Sequence, residues 1–280
     1  MAFTELFDET LDINATENYE LSVMVAYDGL SFTILDTLRN KFVLIRSYEP
    51  DEGRNFNAEK ISGIIDSDDF LLRKFKKLVV QTPSRKSTII PAALYDPGKK
   101  DRYFTFNHTA EPGQVILANR INDPGSYVVF QIPAALSEVL NNHFPGISLY
   151  HHSKPLLWYA SRRARPADGF YVQVHVERDF FTLVIFGNGD MKFCNSFVYR
   201  NISDIMYYVL NAFRKMNIGQ EETIYFSGRA GIYDDITSGF SVYVRNIKFC
   251  EPYGNHSFSY VFSETGLQRH LNLFSALSCE

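Results

Sequence analysis

LSVMVAYDGLSFTILDTLRNKFVLIRSY, running from Leu21 to Tyr48, reads as three consecutive antiparallel strands. Apolar residues alternate through Val23, Val25 and Tyr27, and again through Leu30, Phe32 and Ile34, with Asp28-Gly29 between the two runs. An Asp-Gly pair in that place predicts a hairpin, because both residues tolerate positive φ. Arg39-Asn40 then lets the chain return as Phe42 to Ile45. The pattern occurs twice. FYVQVHVERDFFTLVIFGNGDMKFCNSFVY begins at Phe170. Laid on the first run without gaps, it sets Val172 on Val23, Val174 on Val25, Phe181 on Phe32, Thr182 on Thr33 and Leu183 on Ile34, an offset of 149 residues (181 − 32). The expected fold class is therefore α/β with a duplicated core. Each half starts with three antiparallel strands followed by helices.

At 280 residues the chain accommodates two halves of ordinary size. The expected division is an N-terminal arm over 1–18, acidic and unpatterned, a first half over 19–165 and a second over 169–280. Arg162, Arg163, Arg165 and Pro166 mark the exposed connection. With 45% hydrophobic and 15% aromatic residues there is material for packed cores. A net charge of −4 and no dominant basic stripe argue against nucleic acid as a partner. Cys194, Cys250 and Cys279 are odd in number and far apart, so neither a disulfide framework nor a Cys-x-x-Cys metal site is visible. No apolar run reaches the length of a membrane span, and the acidic start lacks the order of a signal peptide. Cytoplasmic is the expected compartment.

The clearest helix starts at Asn201 as N-cap, with Ile202, Ile205, Met206, Val209, Leu210, Phe213 and Met216 on one face, and Gly219 stopping it. A second starts at Asn57 and carries Ile61, Ile64 and Ile65, with a continuation through Phe70 to Phe75 that Asp66 to Asp69 could break. Strands are expected at Leu78–Thr82, Val115–Ala118, Tyr127–Phe130, Thr223–Phe226, Phe240–Tyr243 and Ile247–Phe249. His151 and His152 are neighbours that a strand would turn to opposite sides. Asp68-Asp69 and Asp234-Asp235 fall in expected loops and read as solvated. No phosphate loop or nucleophile elbow is present.

A duplicated unit of this order resembles the actin, sugar-kinase and chaperone-ATPase superfamily, whose halves have a ribonuclease H-like core. DGLSF at Asp28 to Phe32, TIIPAALYD at Thr88 to Asp96 and the Cys279-Glu280 ending look like an uncharacterised bacterial family, a domain of unknown function with an actin-like ATPase fold. The resemblance covers nearly the whole chain. It implies ATP and Mg²⁺ between the halves. The hairpin turn of each half would present backbone N–H groups to the phosphates, an aspartate there would help hold Mg²⁺, and a glycine pair after a later strand would hold the adenosine. Carried onto this chain, the cofactor-binding positions are Asp28, Gly29 and Ser31 in the first turn, Glu177 in the second, and Ser227 and Gly228 in the adenosine motif. No catalytic residue and no protein metal-ligand set is assigned.

All three motifs depart from the superfamily pattern. Asp28 and Gly29 are adjacent instead of separated by one residue; Glu177-Arg178-Asp179-Phe180-Phe181 has no glycine; and Arg229 replaces the second glycine of the adenosine motif. Side chains such as Phe180 obstruct the approach of phosphate to backbone amides. The expectation is a retained scaffold with altered nucleotide chemistry, a non-catalytic protein that binds a protein partner. The alternative is a working or nucleotide-sensing ATPase or small-molecule kinase binding ATP-Mg²⁺ between the halves. A cleft plugged by Phe180 and Arg229 favours the first, and an open cleft faced by Asp28 favours the second.

Overall fold

The computed structural model describes residues 2–51, 54–165, 169–229, 233–263 and 265–279. Strand β1 (Ala2–Phe7) precedes β2 (Tyr19–Ala26), β3 (Gly29–Asp36), β4 (Lys41–Glu49), α1 (Ala58–Ser67) and β5 (Lys77–Thr82). Then follow β6 (Ser87–Pro91), α2 (Lys100–Asn107), β7 (Gln114–Ile121), β8 (Ser126–Pro133), α3 (Ala134–His143), β9 (Tyr150–His151) and α4 (Ser153–Ala164). The second core comprises β10 (Phe170–Val176), β11 (Phe180–Gly187), β12 (Asp190–Val198), α5 (Ile202–Met216), β13 (Thr223–Gly228), α6 (Tyr233–Phe240) and β14 (Asn246–Phe249). β15 (Ser257–Phe258) and α7 (Leu271–Ala276) end the chain.

One sheet has the order β1-β4-β3-β2-β5-β9 and the other β12-β11-β10-β13-β14. In each, a three-strand antiparallel meander is extended by parallel strands beside its first member, β5 and β9 in one case and β13 and β14 in the other. That is the duplication expected from the repeat. A separate three-stranded sheet, β6-β8-β7, is inserted between β5 and β9.

The pairing corrects the ungapped alignment. In the first hairpin Leu30 faces Val25 and Phe32 faces Val23; in the second Phe181 faces Val176 and Leu183 faces Val174. Leu30 therefore corresponds to Phe181 and Phe32 to Leu183, an offset of 151 (181 − 30). The register shifts agree, falling between Ile34 and Leu35 in one sheet and Ile185 and Phe186 in the other. From β4 onward the offset is the expected 149, since Leu44 corresponds to Phe193 (193 − 44). Two residues are lost in the β3–β4 turn, where Thr37–Asn40 is matched by Asn188-Gly189 alone. The displacement was invisible because a slip of two residues keeps every side chain on its face.

The expected loose arm is instead an edge strand. β1 pairs along β4 from Ala2↔Glu49 to Phe7↔Leu44, and Asp8 is buried against Lys41 and Ser259. Phe240–Tyr243 is the other misassigned segment. Ile236 and Phe240 lie four residues apart on α6 and both enter the second core, so Phe240 ends a helix. Asp234 and Asp235 fall in α6 rather than in a loop, and their side chains lie outside the described residues, as do Pro166 of the connection and Gly231, two residues past Arg229 in the expected adenosine motif. α1 stops at Ser67, as the aspartates allowed, and Asp68 is not solvated but buried under Arg46 at 2.8 Å.

The cores follow from the helices. Asn57 and Asn201 cap α1 and α5 through side-chain oxygens that accept from Lys60 and Asp204 N–H groups. Ile61, Ile64 and Ile65 close the first sheet, and Ile205, Val209 and Phe213 the second. Asn217 in the left-handed region, ahead of Gly219, terminates α5. On the opposite faces the last helix of each half crosses over to the other sheet. α4 packs on β10 and β11 of the second sheet, α7 packs on β2 and β3 of the first, and the two helices touch.

Candidate functional site: the cleft between the two sheets

The tips of the β2–β3 and β10–β11 hairpins approach one another where the sheets meet. The first turn is made by Tyr27 and Asp28, with Ala26 paired to Gly29, so Gly29 opens β3 instead of sharing the turn. Neither Tyr27 nor Asp28 takes positive φ. By the pairing, Asp28 corresponds to Asp179, not to Glu177.

A cleft of about 440 Å³ lies beside these tips. Its floor on the first sheet is a row of small polar side chains across adjacent strands, Thr4, Ser47 and Ser31, with Met24 next to them. Opposite stand Glu177, Arg178, Tyr199 and Arg229, with Arg269 at one end. A second cavity of about 550 Å³ on the other side of the tips is lined by Asp28, Arg54, Arg85, Arg178, Asp179 and Phe180, among others. Arg229 lines the first and Asp28 the second, and the two side chains join across the gap. The Arg229 guanidinium lies 3.4 Å from the Asp28 carboxylate, 3.3 Å from the Asp28 carbonyl oxygen and 3.9 Å from Glu49. Burial pushes the Asp28 carboxyl up; Arg229 pulls it down, and the nearby Glu177 and Asp179 charges push it up again.

Gly228 aims this arginine. Its φ is +91°, and a Cβ there would lie 2.1 Å from the Val176 carbonyl oxygen. Only glycine lets β13 pass that close to β10, and Arg229 N–H then donates to the same oxygen at 2.7 Å.

Ser227 and Glu177, of the remaining expected positions, are engaged by the protein's own side chains. Ser227 is wholly buried and bonded to His175 Nδ1 at 2.9 Å and to Gln173 Nε2 at 3.1 Å. Glu177 is 5% exposed, and its carboxylate sits 3.1 Å from His175 Nε2. The Tyr199 hydroxyl donates to the Glu177 and Arg178 carbonyl oxygens at 2.7 and 3.1 Å, fastening the second turn. Phe180 is 5% exposed and packs edge-on against His152. Of the six positions, then, Ser31 and Glu177 line the 440 Å³ cleft beside Arg229, Asp28 reaches it through Arg229, and Gly29, Ser227 and Gly228 are not among its lining residues.

Behind the tips lies a buried polar network that the sequence reading did not assemble. Tyr171 donates to Gln173, Gln173 to Ser227, and Ser227 contacts His175. Asn272 of α7 reaches His175 Nε2 at 3.1 Å and the His152 carbonyl at 3.4 Å, while Gln81 donates to the Asn272 carbonyl. His152 Nε2 lies 3.0 Å from Thr182 Oγ1. His151 and His152 do not alternate across a strand, because His152 already has helical φ and ψ at the start of α4; both are fully buried. Burial lowers the His151 pKa to about 4 and holds that of His152 well below its usual value. Ser227, His175 and Glu177 stand in serine–histidine–carboxylate order, but Ser227 has no solvent-accessible surface, so no substrate carbonyl can reach it. The sequence signal was present. Tyr171, Gln173 and His175 occupy one face of β10, continued just past the strand by Glu177, opposite Val172, Val174 and Val176, and such a face ordinarily meets solvent.

These residues do not fit ATP-Mg²⁺ as the superfamily holds it. The aspartate expected to hold metal-bound water faces a guanidinium, and the adenosine-motif serine is buried. Of the second turn's carboxylates, Glu177 is committed to His175, and Asp179, the counterpart of Asp28, lines the 550 Å³ cavity instead of the cleft. Among the described residues no group of three or more His, Cys, Asp or Glu side chains could hold a metal ion. No helix among them is long and apolar enough to cross a membrane.

The architecture matches solved structures over nearly its full length. A 1.85 Å crystal structure of a Bacteroides thetaiotaomicron protein with an actin-like ATPase fold and unknown function aligns at a TM-score of 0.78 and 20% identity, over 97% of this chain and 100% of that one. The PilM–PilN type IV pilus biogenesis complex aligns at 0.58 and 12% identity, over 93% of this chain and 97% of that one. The fold is thus the actin-like ATPase fold. No curated protein matches the chain. A family model described as protein of unknown function (DUF3822) matches residues 8–247, and the chain belongs to that family.

Proposed function

We propose that this protein is a non-catalytic scaffold of the actin-like fold that binds a protein partner. The observation that carries the reading is the Arg229–Asp28 bridge across the hairpin tips. Phosphoryl transfer needs uncovered amides and a held Mg²⁺ facing the transferring group. Here the first turn's carboxylate is engaged by the protein's own guanidinium, and the second turn is fastened by Tyr199 and His175. The fold-level likeness to PilM, whose structure was solved in a complex with PilN, is consistent with a scaffold that works through a partner.

A second reading keeps a specific support. The 440 Å³ cleft places Arg178, Arg229 and Arg269 over a row of hydroxyl side chains, and its size suits a nucleotide. In that reading the protein senses or turns over ATP-Mg²⁺ after Arg229 swings off Asp28. ATP turnover measured with Mg²⁺ on the intact protein, beside Asp28→Ala, separates the two. The scaffold reading expects no turnover above background. Turnover that Asp28→Ala abolishes would replace it with the ATPase or kinase reading. Calorimetric binding of ATP-Mg²⁺ without turnover, weakened in Asp28→Ala, would make the protein a nucleotide-sensing scaffold.

A further inference from the structure

β1 is the terminal strand of the first sheet, and its outer side carries no ladder. Beyond its pairing with β4, no backbone hydrogen bond is made by residues 3–7 among the described residues. An edge of this kind is a template for a further strand unless something blunts it. Here the side chains invite one. Phe3 and Phe7 are 52% and 56% exposed and stand on the same face, with Glu5 between them. Behind Glu5 is Arg46, whose guanidinium is shared by three carboxylates, those of Glu5, Asp68 and Asp69. Arg73, the next cation along, donates to the Asp69 carbonyl instead of a carboxylate. The face thus reads apolar, acidic, apolar, with negative charge in excess around Glu5.

From this geometry we infer that the β1 edge is the docking site for an extended segment of the protein partner, which adds a strand to the first sheet. It sets a Lys or Arg opposite Glu5, with apolar residues two positions to either side over Phe3 and Phe7. Free backbone groups specify a strand, and the alternate side chains specify its sequence. A second copy of this chain is the competing occupant, and charge disfavours it. The antiparallel register that lays Phe3 against the second copy's Phe7 puts Glu5 directly opposite itself, and like charges so placed are destabilising. The inference rests on the scaffold reading for the existence of a partner, and it adds where the partner binds and what it presents.

The probe is a blocked heptapeptide, Thr-Phe-Thr-Lys-Thr-Phe-Thr, carrying a fluorophore, with a control in which Lys is replaced by Glu. Anisotropy titration of the full chain should show the Lys peptide binding about tenfold more tightly, the ratio expected from exchanging an attractive for a repulsive cross-strand pair. Amide hydrogen exchange should slow in residues 3–7 when it binds. Glu5→Gln should narrow the Lys-to-Glu ratio, and the double variant Phe3→Ser/Phe7→Ser should weaken both peptides. Both phenylalanines are half exposed, so an unchanged melt verifies that this variant folds. Equal affinity for the two peptides, no protection of β1, or protection of β1 by self-association alone would each overturn the inference. The outcome is independent of nucleotide. ATP turnover sinks the scaffold reading whatever β1 does, and unprotected β1 amides sink the docking site whatever ATP does.

Discussion

Replacing Gly228 with alanine tests the local geometry on which the Arg229–Asp28 bridge depends. Two costs add. Moving a residue with a side chain to φ +91° costs about 1–2 kcal/mol. The new Cβ would also sit 2.1 Å from the Val176 carbonyl oxygen and 2.9 Å from its carbon, both backbone atoms that no rotamer change can move. Relief means parting the ends of β10 and β13, which gives up the Arg229 N–H to Val176 bond and disturbs the packing beneath, about 1–3 kcal/mol. The expected loss is about 2–5 kcal/mol by urea denaturation. Gly189→Ala supplies the control. That residue has φ +80° with nothing within 4 Å of its Cβ position, so it bears the conformational cost alone, about 1–2 kcal/mol. The excess of Gly228→Ala over Gly189→Ala therefore reads the close approach of the two strands. Equal losses would refute the contact, and with it the claim that Gly228 aims Arg229 at Asp28.

Other perturbations separate burial from decoration. Arg46→Leu leaves Asp68 buried without its cation and should cost about 3–5 kcal/mol in the same assay; Asp68→Asn added to it should recover part of the loss, and no recovery would mean the damage is steric. Phe213→Ala should cost about 3–5 kcal/mol, whereas Leu210→Ala, partly exposed on the flank of the stripe, should cost about 1–2; equal values would contradict the packing of α5. His151 and His152 are held neutral in the fold, so their folded pKa values lie below the unfolded value of 6.5. Their contribution is present above that pH and is lost as pH falls toward 4, at about 1.4 kcal/mol per unit for each. Stability should thus drop by roughly 3 kcal/mol or more between pH 6.5 and 5, since burial also pushes His270 down to about 4 and it acts in the same direction; a flat profile over that window would refute the burial of these rings.

The duplicated architecture was legible because alternation and helix caps are local. Val23, Val25, Val172 and Val174 announce strands whatever surrounds them, and Asn57 and Asn201 announce helix starts. What was not legible depended on distance along the chain. The offset slipped by two in the hairpins because period-two patterns cannot distinguish Phe181 on Phe32 from Phe181 on Leu30. β1 was missed because Thr4 and Leu6 mix polar and apolar on one face. Only the structure shows that this face is half cleft floor and half core. By sequence Arg229 stands only in the place of a glycine of the adenosine motif. Its reach to Asp28, 201 residues away in sequence, needed the two hairpins to be brought tip to tip.

The same reach explains why the polar face of β10 matters more than any single expected site residue. In a cleft that opens and closes around a ligand, the layer behind the hairpin tips has to let one sheet move against the other. Apolar side chains tolerate such sliding, because dispersion contacts are non-directional. Here that layer contains Gln81 from the first sheet, Gln173, His175, Thr182 and Ser227 from the second, and His152 and Asn272 from the two crossing helices. All seven are at most 2% exposed. Their hydrogen bonds fix distance and angle, and breaking one in a buried site costs about 1–3 kcal/mol without water to replace it. A sheet-against-sheet movement would have to break several together. Under the proposed reading the Arg229–Asp28 bridge and this network act in the same direction. They hold the actin-like halves in one arrangement, which suits a rigid surface for a partner better than a cycle driven by nucleotide.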